Sequence, residues 1–191
     1  MKLVELNEEH LEFLRNLRNS DYVSKNLISN NVITKEMQQI WFDKLINDKS
    51  RVYFVVMMEN NPIGCLSFSH SSEGCGEWGL FLSEDNSWPG TAVLLEIIAL
   101  DFAFEFFNIS SLTAEVLPHN KVAIRLHNMF KYKCLEERNV VDGKELLVFE
   151  YTKLDWEKNR RDIIRKIPRS FIGVLDNVTL SNIFGDLIFN Y

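Results

Sequence analysis

Gly90-Thr91-Ala92-Val93 is the stretch whose residue types and position suit the holding of an anion. It follows the strand-like Glu77-Trp78-Gly79-Leu80-Phe81-Leu82 and a polar segment from Ser83 to Pro89, and it opens the apolar run Val93 to Leu100. The first amides of a helix lack internal acceptors and sit at the positive end of its dipole, where a phosphate is favoured. Gly90 and Ala92 keep bulk off the main chain. The chemistry predicted is a phosphate-bearing cofactor seated on Gly90 to Val93. Pro89-Gly90 on its own equally makes an ordinary chain reversal. Neither the nucleoside-triphosphate loop nor the dinucleotide fingerprint is present, so those two classes gain no support.

The bulk properties bound what such a loop could serve. With 191 residues, 46% of them hydrophobic and 14 of them Phe, the chain has enough apolar matter for one packed domain with a terminal appendage. The formal charge is −6, with no outstanding Lys/Arg tract, so no nucleic-acid partner is expected and an anionic ligand must be held by local donors. Cys65, Cys75 and Cys134 are odd in number and scattered, which suggests neither a disulfide framework nor a metal site. There is no signal-peptide core and no uncharged stretch of membrane-spanning length, so the expected location is cytoplasmic.

The elements that must position the loop can be read in order. Lys2 to Leu6 reads as a strand, and Asn7 caps a helix striped by Leu11, Leu14 and Leu17 that ends at Arg18-Asn19-Ser20-Asp21. Thr34 caps a second helix, with Met37, Trp41 and Leu45 expected on its buried face. Arg51–Met57 and Ile63–Ser69 form a hairpin, and a turn over Ser71 to Gly76 delivers Glu77–Leu82. The helix Val93–Phe107 is apolar all round except at Glu96, Asp101 and Glu105, so it is buried on most sides. Leu112–Leu117 is a strand, and Asn120 opens a helix with Ala123, Leu126 and Phe130 inward. A hairpin around Asp142-Gly143 closes the domain.

Strand, two helices, three strands, helix, strand, helix and two strands, with Gly90-Thr91-Ala92 before the third helix, resembles the GNAT N-acetyltransferase superfamily. The family loop runs Gln or Arg, two residues, Gly, one residue, then Gly or Ala; here Ser87 stands at its first position. Asn120-Lys121-Val122-Ala123-Ile124-Arg125-Leu126-His127, leading to Tyr132, resembles the family's next helix, with His127 where many members place a tyrosine and Tyr132 where Phe is usual. Leu17-Arg18-Asn19, Ile33-Thr34-Lys35-Glu36, Tyr53-Phe54-Val55-Val56, Pro62-Ile63-Gly64 and Trp78-Gly79-Leu80-Phe81 are further similar to the pseudaminic-acid pathway N-acetyltransferases, over roughly residues 2–156. The resemblance implies an α/β (α+β) GNAT fold: a mixed, mostly antiparallel sheet of about seven strands, helices on both faces and splayed central strands. It implies acetyl-CoA as co-substrate, no metal, and the amine of a UDP-linked amino-deoxy sugar as acceptor.

That resemblance distributes roles. Gly90, Thr91, Ala92 and Val93 would bind the diphosphate, and main-chain groups of Leu80, Phe81 and Leu82 the pantetheine arm. His127 would protonate the leaving thiolate; as a residue it could equally be a half-buried helix histidine. Tyr132, five residues on and expected on a different helical face, is the reserve donor. Glu115, projecting from the strand beside the cleft, is either the base for the amine or a solvated carboxylate. Arg18 and Asn19 would border the acceptor, with Arg18 on phosphate or complementing its helix C-terminus. Trp78 could stack on the uracil or be core, and Asn120 could cap its helix, touch CoA, or do both.

After Asp155 basic residues cluster, with Trp156, Ile163, Ile164 and Ile167 at helical spacing and Pro168 as a stop. The reading is therefore a GNAT domain over 1–156 and an extension over 157–191, packed on the domain or on a second subunit. A protein or peptide N-terminal acetyltransferase and a non-catalytic CoA-binding module are the competing functions.

Overall fold

The computed structural model describes residues 1–70, 74–85, 90–105, 107, 109–175, 179–182 and 185–188. Ser71–Glu73 of the expected turn, and Ser87, Trp88 and Pro89 of the loop, lie outside the described residues. Strand β1 is Lys2–Glu5. A single 3-10 turn, Glu8–His10, is capped by Asn7, whose side chain accepts from the Glu9 amide at 3.0 Å, and leads into helix α1, Leu11–Asn19. Helix α2 is the short Asp21–Ser24, and α3 is Lys35–Leu45, capped by Thr34. Strands β2 (Arg51–Met58), β3 (Asn61–His70) and β4 (Cys75–Leu82) form a meander, followed by α4, Thr91–Glu105. Then come β5 (Ser111–Val116), α5 (Lys121–Phe130), β6 (Lys133–Val141) and β7 (Lys144–Thr152). Helices α6 (Lys153–Lys166) and α7 (Arg169–Leu175) precede β8 (Thr179–Asn182) and β9 (Gly185–Ile188).

Among the described residues the strands make one sheet in the order β6-β7-β5-β4-β3-β2-β1-β8-β9. Only β4–β5 and β1–β8 are parallel pairs there. The seven expected strands are present, and the tail adds two more beside β1. These last two are four residues each, too short to show a period of their own.

The sheet buries both faces. Leu3, Phe54, Leu66, Phe68, Leu112 and Phe149 pack with α4, α5 and α6 on one side. Leu6, Leu11, Leu14, Phe42, Val55 and Cys65 pack under α1 and α3 on the other. On helix α3, Trp41 and Leu45 of the expected inward row pack against the core, but Met37 does not. Met37 is 48% exposed, whereas Phe42 and Gln38 are buried, because the helix packs its Phe42 side into the cluster of Leu11, Leu14, Val55 and Cys65. Helix α4 is buried at twelve of its fifteen positions, as an apolar helix between sheet and α6 must be.

One feature of the sheet prepares a site. β4 stays paired to β3 through Leu82, and β5 to β7 through Val116. The ladder between β4 and β5 spans only Cys75–Glu77 against Ser111–Thr113. Beyond that point the two central strands part.

Candidate active site

The parted strands present backbone groups that no neighbouring strand takes. The Ser83 amide donates to the Ile63 carbonyl at 2.8 Å. Amide direction alternates along a strand, so Phe81 and Gly79 also face β3, and the amides of Leu80 and Leu82 face the gap. Side chains alternate too: Trp78, Leu80 and Leu82 pack on the α4 side, and Phe81 packs on the α1/α3 side.

At the head of the gap stands the N-terminus of α4. Its first turn carries no acid to oppose an anion on the amides of Thr91 to Val93. Gly90 has φ +98°, a left-handed conformation that glycine adopts without strain. The space on its α-carbon is not open, however: a Cβ built there would overlap the Phe171 ring of α7. Gly90 thus admits an aromatic side chain from the C-terminal segment, a constraint no local pattern reveals.

Behind the gap, on the α4 side, a buried polar cluster surrounds His127. The Asn120 side chain caps α5 by accepting from the Ala123 amide at 3.1 Å, which fixes the helix and its inward face. His127 lies on that face, 5% exposed, with its Nδ1 3.5 Å from Oε1 of Glu96, itself 0% exposed. Tyr132 is not on a different face of α5. The helix ends at Phe130, Lys131 takes a left-handed φ of 67°, and the Tyr132 amide returns to the His127 carbonyl at 3.0 Å. The two rings therefore meet at 4.5 Å between centroids. Trp78 Nε1 donates to the Tyr132 hydroxyl at 3.2 Å, and Phe149 closes the ring set at 5.1 Å from His127. Burial, together with the Glu96 carboxylate, pushes the Tyr132 phenol well above its ordinary value, with the Trp78 bond opposing.

On the α1/α3 side, across β2, β3 and β4, a pocket of about 260 Å³ is lined by Arg51, Tyr53, Ser67, Phe68, Ser69, Glu77, Trp78 and Gly79. Glu115 is exposed; since Leu112 and Val116 face the α4 core, alternation turns Glu115 to this same side. Arg18 donates to the carbonyls of Ser29 at 3.0 Å and Asn31 at 3.4 Å, and Asn19 exchanges two 2.9 Å bonds with the Ile33 backbone. Both clamp the connection between α2 and α3.

The structure thus gathers His127, Tyr132 and Trp78 behind the gap, sets Leu80 and Leu82 along it, and places Glu115 in front. Arg18 and Asn19 stand apart from the His127 cluster, and the Trp78 indole sits with the histidine rather than beside Arg18. Glu96 had no assigned part. Its signal was a carboxylate inside an otherwise apolar helix. Arg51, Ser67 and Ser69 gave none, being ordinary strand residues until three strands align.

Residues 1–132 match the acetyltransferase (GNAT) domain family, which reaches from β1 to Tyr132. Acetyltransferase PseH of Campylobacter jejuni is 26% identical over 133 residues, covering 70% of this chain and 83% of its own length. Among solved structures, the spermidine N-acetyltransferase of Vibrio cholerae in complex with CoA and spermine superposes with a TM-score of 0.73 at 19% identity, over 81% of this chain and 96% of that one. Apo FdhC, a nucleotide-linked sugar GNAT, superposes with a TM-score of 0.72 at 19% identity, over 87% and 94%.

Proposed function

The chain belongs to the acetyltransferase (GNAT) domain family, and from that premise we propose that it transfers an acetyl group from acetyl-CoA to the primary amine of a UDP-linked amino-deoxy sugar. The observation that carries the reading is the parting of β4 and β5 after Glu77 and Thr113, with a buried histidine behind it and an exposed carboxylate before it.

The residues present fit such a co-substrate, because unclaimed strand amides adjoin a helix N-terminus free of acids. Acetyl-CoA supplies the activated thioester and a diphosphate handle. The amides of Thr91, Ala92 and Val93 take the diphosphate. Leu80 and Leu82 hold the arm by strand-like bonds, and a gap-facing amide polarises the acyl carbonyl, a role whose loss typically costs about 3–4 kcal/mol. Glu115 accepts the proton that the amine must shed, and His127 supplies one to the departing sulfur.

The acceptor reading is supported by the Campylobacter jejuni relatives named PseH and by the polar pocket across β2, β3 and β4. Tyr53, Ser67 and Ser69 offer hydroxyls to a sugar. Arg18 is occupied by carbonyls, so Arg51, only loosely paired to Asp48 at 3.6 Å, is the better cation for a nucleotide phosphate.

The test is thiol release from acetyl-CoA with UDP-amino sugars, free amino sugars, short peptides and polyamines as acceptors. UDP-amino sugars should give the largest kcat/KM, and Arg51→Ala should lower it for them at least about tenfold. Faster turnover of peptides or polyamines, with UDP-sugars inert, would overturn the acceptor.

A further inference from the structure

Glu96 is a deeply buried charge-bearing side chain near the gap, at 0% exposed; neither oxygen makes a well-aligned hydrogen bond among the described residues, and the groups it interacts with are the Tyr132 hydroxyl and the His127 ring. An isolated carboxylate in such surroundings is costly unless it faces a partner able to share a proton or carry the opposite charge. The His127 Nδ1, also buried without another partner, is 3.5 Å away. The remaining titratable groups facing His127 are Tyr132 from the end of α5 and, stacked behind it at 4.5 Å, Tyr151 of β7. Trp78 of β4 and Phe149 of β7 close the other sides.

We propose that Glu96 is a positioning residue that holds the Nδ1–H of His127, so that when the ring takes a second proton it stands on Nε2 and that nitrogen donates to the leaving sulfur. Neutral imidazole can carry its hydrogen on either nitrogen, and the choice follows the bond the other nitrogen makes. A carboxylate accepts only, so Nδ1 must donate to it. With a second proton taken from solvent onto Nε2, His127 gives that proton to sulfur as the carbon–sulfur bond breaks with its electron pair staying on sulfur, and the ring is left neutral with Nδ1–H on Glu96. The amine's own proton goes to Glu115 or water. A tyrosine needs no such helper; a histidine in that place does.

This inference rests on the transferase reading for its chemistry, but its first readout does not. The chain has four histidines, so nitrogen-15 NMR of imidazole-labelled protein without ligand can report His127, assigned by its loss in His127→Phe. The expected spectrum has Nδ1 protonated across the neutral range, and Glu96→Gln should shift the hydrogen toward Nε2. The same variant should lower kcat at least about tenfold with KM for acetyl-CoA little changed, and Glu96→Asp, which keeps the charge, should recover part of it. A wild-type ring with hydrogen on Nε2 and bare Nδ1 would overturn the proposal without any variant. So would turnover in Glu96→Gln equal to wild type. If no acceptor is ever acetylated yet Nδ1–H is found on Glu96, the transferase reading fails and the dyad stands.

Discussion

Three carboxylates interrupt the apolar helix α4, and two of them are settled by the neighbour they meet. Glu96 faces His127. Asp101 accepts from Trp156 Nε1 at 2.7 Å and from Arg160 Nε and Nη2 at 2.9 and 3.0 Å, a bidentate bond between α4 and α6. Glu105 is exposed. Cysteines divide in the same way: Cys75 and Cys134 are exposed and Cys65 is buried. Burial pushes the Cys65 thiol up to about 12. The unfolded chain releases that proton near about 8.5, so the folded state holds a proton that the unfolded state has lost. The stabilisation is fully present at neutral pH and is lost as pH rises from about 9 toward about 12, with a slope of up to about 1.4 kcal/mol per pH unit. Urea unfolding at intervals from pH 7 to 10 should therefore show wild type losing stability faster than Cys65→Ala. Parallel curves would mean the thiol contributes nothing. That three acids broke one helix was legible in the chain; which of them were partnered was not, since each partner comes from another element.

At the level of elements, the junction of β4, α4 and α7 decides whether the loop can work. Gly90 meets two demands, a φ of +98° and the closeness of Phe171. Gly90→Ala should cost about 1–3 kcal/mol for the backbone and about as much again for overpacking. In a Gly90→Ala/Phe171→Ala double mutant the second part should be relieved, giving a coupling of about 1–2 kcal/mol in thermal or urea unfolding. Strict additivity would show that the ring yields freely and that only the backbone needs glycine. The need for a small residue at Gly90 could be read from the loop's composition, though not its left-handed φ, and the caps at Asn7, Thr34 and Asn120 stood where side-chain chemistry put them. The buried row of α3 was misjudged at Met37, because spacing gives a period and not the direction in which the sheet lies.

Across the whole molecule, the C-terminal segment is woven into the sheet. Trp156, Ile163, Ile167 and Leu175 belong to the core that α4 shares, and β8 lies parallel on β1 through Lys2↔Thr179 to Val4↔Ser181. Without β8, β1 would be an edge strand with unpaired backbone groups, a template for self-association. Removing residues 168–191 also strips Leu175, 0% exposed, from the core. A single large core truncation costs about 2–5 kcal/mol, so the shortened chain should melt at least about 5 °C lower. Light scattering should show higher-order species. An unchanged melting temperature with a monodisperse monomer would show that the segment only decorates the domain.

The amino-acid order alone determined the succession of the seven strands β1 to β7 and their main helices, the apolar character of α4 and the amides offered at its start, because periodicity, caps and turn residues act within a few positions. It also carried the Asn120 to His127 pattern and the resemblance that went with it. Only the folded chain decided that β4 and β5 part after three paired residues, that Tyr132 turns back onto His127, that Glu96 lies against both, and that Phe171 reaches Gly90. Those relations join residues far apart in the chain. They follow from how a twisted sheet and its two layers of helices fill space, which no local window contains.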